Sequence, residues 1–139
     1  MRLSFAPAVL GPICLCLCLA SCGPSHPAPP LKKPNDELIV GDFTRRGADG
    51  KAAIRFARDG TYRFVEDKAK LDKDPPLGAG TWKVSGDQLT LSAQSGLCAD
   101  GPRDATYKVV VSKVGVRFEK VSDDCERRAT MDGQTWWRL

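Results

Sequence analysis

The chain contains a single histidine in 139 residues, His26, and none from residue 38 onward. A serine or cysteine nucleophile needs a neighbouring base to take its proton, so Ser-His and Cys-His catalysis is excluded from that stretch. Zinc would have to be held by cysteine thiolates without histidine. Charge of one sign is not concentrated anywhere either. Lys and Arg number 21 against 17 Asp and Glu, for a net charge of +4, and the signs alternate along the chain. A basic stripe for nucleic acid is therefore missing. No helical hydrophobic period of useful length occurs, which argues against a helical domain. Asp72-x-Asp74 lacks the spacing and glycine of an EF-hand loop, and Asp123-Asp124 stands alone. The acids beside glycines read as turn formers. The one enzymatic chemistry left open is a pair of carboxylates brought together in space, as in a glycoside hydrolase. The expectation is a non-enzymatic protein with no metal or cofactor.

What the chain does have begins at the N-terminus. Met1-Arg2 is a short basic start, and Leu3 to Ala20 follows uncharged and mostly apolar. That is the layout of a signal peptide; Pro7, Gly11 and Pro12 interrupt it as a membrane-spanning helix. It ends at Leu19-Ala20-Ser21-Cys22, which resembles the lipobox of bacterial lipoproteins. The resemblance implies cleavage before Cys22, lipidation of its thiol, and a mature protein held in the bacterial cell envelope by acyl chains. Cys14, Cys16 and Cys18 lack the small preceding residues and would leave with residues 1–21. Gly23 after the cysteine fits an outer-membrane destination, facing the periplasm or the cell surface. The membrane is thus one expected partner.

Residues 22–37 read as the lipidated cysteine and a proline-rich linker. Its stretch 23–34 would be extended, and at about 3.1 Å per residue would reach roughly 35 Å. Cys98 and Cys125 remain as an even pair in an oxidising compartment, where a disulfide is expected. The bridge would close a loop of about 27 residues, worth roughly 3 kcal/mol by chain entropy. The alternative is two buried thiols.

Residues 38–139 alternate apolar and polar side chains, the mark of half-buried strands. Expected strands cover Leu38–Thr44, Ala53–Arg58, Thr61–Phe64, Gly80–Val84, Leu89–Leu91, Tyr107–Val111, Val116–Phe118, Arg127–Met131 and Thr135–Leu139, about nine in all. Asp59-Gly60 is the strongest hairpin signal. Gly41-Asp42-Phe43, Asp59-Gly60-Thr61-Tyr62, the run Gly80 to Leu91, and Asp124-Cys125-Glu126-Arg127-Arg128 with Trp136 resemble small bacterial lipocalin-like domains. Lipocalins proper carry Gly-x-Trp where this chain has Phe43. The resemblance and the strand pattern give one expectation: an all-β, antiparallel up-and-down barrel of eight to nine short strands.

Tight turns at Asp59-Gly60, Gly86-Asp87, Val114-Gly115 and Asp132-Gly133 would share one end. The longer connections 67–79, 93–104 and 122–126 would share the other, together with Cys98 and Cys125 and with Arg45, Arg46, Lys68, Lys70, Lys73 and Arg103. A small barrel is either just filled by side chains or holds one small ligand; the short strands favour a filled interior. Tyr62, Phe64, Trp82 and Tyr107 are the candidate ligand-lining residues. Two functions compete: a tethered module binding a small or peptidic ligand at the loop end, and a periplasmic protein-inhibitor or interaction module.

Overall fold

Alternation does produce strands. The computed structural model describes residues 27–29, 31–45 and 52–139. Cys22, His26 and Arg46 lie outside the described residues. The chain divides into two units, Met1–Leu31 and Lys32–Leu139, and the second is the one built from strands. A helical turn, α1 (Asn35–Leu38), precedes β1 (Gly41–Arg45), β2 (Ala53–Phe56), β3 (Thr61–Val65), β4 (Gly78–Ser85), β5 (Gln88–Gly96), β6 (Asp104–Val111), β7 (Gly115–Ser122) and β8 (Thr135–Arg138). Each strand pairs antiparallel with its sequence neighbours, and β8 closes on β1 through Phe43↔Arg138 and Arg45↔Trp136. The result is a closed eight-stranded barrel of lipocalin-like architecture.

Closure corrects two of the expected strands. In an up-and-down barrel, an odd number of strands would leave the first and last parallel; eight lets them pair antiparallel. The segment expected as a further strand, Arg127–Met131, lies within a 3-10 helix, Glu126–Met131. Its buried side chains are Arg128 and Met131, three residues apart, which is the eclipsed spacing of a 3-10 helix rather than the alternation of a strand. Asp132-Gly133 consequently lies at the loop end, not with the tight turns. Leu38 belongs to α1, and the first strand starts at Gly41.

The β2–β3 turn is also longer than a two-residue hairpin. Gly60 N donates to Ala57 O at 3.1 Å and Ala57 N to Thr61 O at 2.8 Å. Gly60 takes φ 87°, the left-handed position that three-residue hairpins give to glycine. Asp59 Oδ1 accepts from Thr61 N at 2.9 Å, which fixes the corner.

The inward rows pack together. Phe43, Ile54, Phe56, Tyr62, Phe64, Leu89, Leu91, Tyr107, Val109, Val111, Val116, Phe118 and Trp136 form one buried cluster. The aromatic rings meet edge-on: Tyr107–Phe118 at 6.1 Å and 76°, Phe118–Trp136 at 6.3 Å and 82°. Such contacts add to burial because ring edges are positive and faces negative. Trp82 is half-buried. Its ring stands edge-on to Phe56 at 5.7 Å, and its Nε1 donates to Ala57 O at 3.0 Å.

The tight-turn end is closed by α1. Ile39 enters the core completely. Asn35 Nδ2 donates to Gly86 O at 2.9 Å, and Arg138 donates to Val40 O at 2.9 Å and to Leu38 O. The Arg138 guanidinium also lies 4.6 Å from the centre of the Phe43 ring. One arginine on the last strand therefore joins the entry segment to the first strand, through hydrogen bonds and a cation–π contact.

Trp136 is 0% exposed at the centre of this packing. Trp136→Ala should cost about 3–5 kcal/mol in urea unfolding. Val110→Ala, at a residue 59% exposed, should stay within about 0.5 kcal/mol. Equal losses at the two positions would contradict a filled interior.

Candidate functional site

The loop end is built on a buried ion pair. Arg128 and Asp123 side chains are 4% and 2% exposed. Arg128 Nε donates to Asp123 Oδ2 at 2.9 Å and Nη2 to Oδ1 at 3.0 Å, a bidentate pair. Its remaining donors reach across to the β5–β6 loop: Nη1 to Arg103 O at 2.8 Å and Nη2 to Pro102 O at 2.9 Å. Asp123 also accepts from Tyr107 OH and, at 2.9 Å, from Cys125 N. Burial pushes the Asp123 carboxyl up, but the hydrogen bonds from Arg128, Tyr107 and Cys125 outweigh it and hold it below the usual range. Burial, followed by the bond to Asp123, keeps the Tyr107 phenol protonated far above its ordinary value. Burial likewise raises Tyr62, against the nearby Arg128.

The expected disulfide is present next to this pair. Cys98 and Cys125 are joined with Cα atoms 6.0 Å apart. The bridge and Arg128 tie the same two segments, one covalently and one through three hydrogen bonds to the carbonyls of Pro102, Arg103 and Asp104.

The third long connection, between β3 and β4, does not protrude. It folds back along the outer wall as a strap. Leu71, 4% exposed, packs with Ala53 and Val65. Arg55 on β2 and Arg63 on β3 stand directly opposite each other, a like-charge arrangement that is unfavourable alone. Carboxylates resolve it. Asp42 grips Arg55 at 2.7 and 2.8 Å, Asp72 reaches Arg55 at 2.7 Å, and Asp74 reaches Arg63 at 2.5 Å. The Arg55 hydrogen bond holds the Asp72 carboxyl below its ordinary value. The acids considered as a carboxylate pair are thus engaged by arginines: Asp72 and Asp74 on the wall, Asp123 under the loops. Among the described residues no group of three His, Cys, Asp or Glu is placed to hold a metal.

Tyr62 and Phe64 line a cavity of about 10 Å³ inside the barrel, together with Leu91, Leu97, Arg128 and Met131. That is about the space of one water. Tyr107, 1% exposed, is committed to Asp123, and Trp82 to Ala57 O. Of the four candidate ligand-lining side chains, two meet at this void, and all four belong to the packing of the barrel.

Open space lies above it. A bowl of about 540 Å³ occupies the mouth of the barrel, floored by Phe64, Leu77 and Leu97 and rimmed by Arg45, Lys70 and Arg127 with Glu66 and Asp67. Leu97 sits over Gly78, where a Cβ would meet the Leu97 Cβ at 2.8 Å; the missing side chain on β4 is what lets leucine close the barrel. Arg45 and Lys70 were legible as loop-end cations. Arg127, Leu77 and Leu97 were not, although Arg127 and Leu97 lie within two residues in sequence of Cys125 and Cys98. Arg103 is turned to its own loop, donating to Ala99 O at 2.7 Å. No protein-family model matches the chain, and no curated protein is significantly similar to it. The fold itself, an eight-stranded lipocalin-like barrel, is compatible with a non-catalytic binding module.

Two measurements check the loop end. Asp123→Asn should cost about 3–5 kcal/mol by stranding Arg128. Because the folded carboxyl is held below its unfolded value of about 3.9, its contribution is complete above that pH and is lost as pH falls through the folded value. The wild type should therefore lose stability on acidification, and the Asn variant should show a shallower acid limb in urea unfolding at pH 2–6. Separately, Cys98 and Cys125 should resist alkylation under native, non-reducing conditions, and Cys98→Ser with Cys125→Ser should cost roughly 3 kcal/mol.

Proposed function

We propose that the protein is a bacterial envelope lipoprotein, acylated at Cys22, whose barrel is a non-catalytic binding module working at its loop end. The observation that carries this reading is the filled interior: a void of about 10 Å³ leaves no room for a ligand inside, so binding belongs to an outer surface. The bowl at the mouth is the apolar-floored one. The tether supports the same choice. The chain enters the barrel beside Gly86, at the tight-turn end. A proline-rich linker of residues 23–34 there would hold the closed end toward the bilayer and present the mouth away from it. The absence of histidine from 38–139 supports a module without nucleophilic chemistry.

Two experiments test this. Wild type should partition into the detergent phase, and Cys22→Ser should remain an uncleaved or soluble precursor; equal partitioning would remove the anchor from the reading. The detergent-solubilised full chain should take up no small apolar dye into its interior. Dye-induced shifts at Leu91 and Tyr107 would move the site from the mouth to the core.

A further inference from the structure

We infer that the mouth docks an acidic segment of a partner protein, one that presents an apolar side chain flanked by carboxylates. This rests on the loop-end reading above and names the chemistry of what binds there. The floor is apolar and accessible: Leu77 is 40% exposed, and Phe64 and Leu97 separate the bowl from the filled barrel. A ligand therefore cannot sink further. Small-molecule sites bury most of their ligand's surface, whereas this bowl of about 540 Å³ is open on the solvent side and covers one face. That geometry suits an anchor side chain carried by a larger surface, with a charged rim around it.

The rim sets the sign. Lys70 is paired with Glu66, and Asp67 Oδ1 accepts from Ala69 N at 2.9 Å. Arg45 and Arg127, both lining the bowl, make no ion pair or side-chain hydrogen bond among the described residues. Arg55, Arg63, Arg128 and Arg138 are all engaged within the fold. Two unengaged guanidinium forks over an apolar floor match carboxylates beside a leucine or aromatic side chain, since the fork accepts a carboxylate edge-on through two parallel hydrogen bonds. Asp67 keeps its charge, so the lining sums to +1, with Arg45, Lys70 and Arg127 against Glu66 and Asp67; a basic partner could pair Asp67 but would leave both guanidiniums unpaired, as would an uncharged one.

The test uses the full lipidated chain in nanodiscs, with leucine methyl resonances as reporters. Four probes are titrated: a blocked heptapeptide Gly-Asp-Glu-Leu-Glu-Asp-Gly, the same peptide with lysine for each acid, the same with alanine for leucine, and dodecanoate. The acidic leucine peptide should shift the Leu77 and Leu97 methyls, and its affinity should fall with added salt. Arg45→Gln and Arg127→Gln should each weaken it about threefold and together about tenfold, with the remaining methyls unmoved as proof of fold. Equal binding by the lysine or alanine peptide, or binding by dodecanoate alone, overturns the acidic-segment inference while leaving the mouth a site. If no probe moves either methyl, the loop-end reading itself falls and takes this inference with it.

Discussion

Arg128 and Asp123 govern the loop end. Removing two charges from water costs several kcal/mol per ion, and their attraction repays it only when geometry is good and the remaining donors and lone pairs are filled. Here that condition is met. The pair is bidentate, Tyr107 and the Cys125 amide fill Asp123, and the carbonyls of Pro102 and Arg103 take the rest of Arg128. Each partner is a fixed point on a different segment: β6, the loop after β5, and the loop after β7. The pair thus specifies one arrangement of loops, beside the small apolar cluster of Ala93, Cys98, Cys125 and Leu97. The disulfide restricts the unfolded chain, while the ion pair selects the folded geometry. The two act on the same loops at different stages, and neither replaces the other.

At the opposite end the same chemistry serves closure. Arg138 on the last strand donates to carbonyls of the entry segment and covers Phe43 on the first. A barrel has no edge to protect once β1 and β8 pair, but the seam is short, joined at Phe43, Thr44 and Arg45. An arginine spanning it adds contacts at this three-pair seam and ties the segment entering β1 to the barrel floor.

Much of this was legible in the chain. Alternation placed all eight strands, because half-buried strands must put apolar residues on one face, but it drew β4 to β7 too short: Leu89–Leu91 extends to Gln88–Gly96 and Val116–Phe118 to Gly115–Ser122. β1 starts late because Leu38 and Ile39 turn into the barrel floor. Oxidising context and an even count identified Cys98 and Cys125. The failures share a physical cause. Arg127–Met131 looks like a strand by composition, yet its burial repeats every three residues, and only the parity of closure forbids a further strand there. The connection 67–79 was expected only as a longer loop at the end opposite the tight turns. What folds it back is Leu71 docking on Ala53 and Val65 together with a cross-strand pair of arginines, a register fact that local sequence does not contain. The mouth is assembled from β1, the strap and two disulfide-linked loops, so its residues are adjacent only after closure.

The filled interior then shapes what the protein can do. Strands of eight and nine residues in β4 to β7 make a barrel long enough to cage a ligand, but buried aromatic side chains from six strands (β1, β2, β3, β6, β7 and β8) consume that volume. Gly78 and Gly80 on β4 do not reopen it. A Cβ on Gly80 would lie 2.0 Å from Ser92 O, and Leu97 fills the space over Gly78, so these glycines permit close packing instead of leaving a hollow. Packing stabilises a domain of about a hundred residues that has little core to spare, and hollowing it would cost each lining side chain its contacts. A core kept full leaves the outer wall and the ends as the surfaces available to the proposed binding role. One end is closed by α1, and the other carries two loops held by a disulfide and a buried ion pair. Loops already fixed by a covalent bridge and a desolvated pair would lose little further freedom in the docking proposed for the mouth.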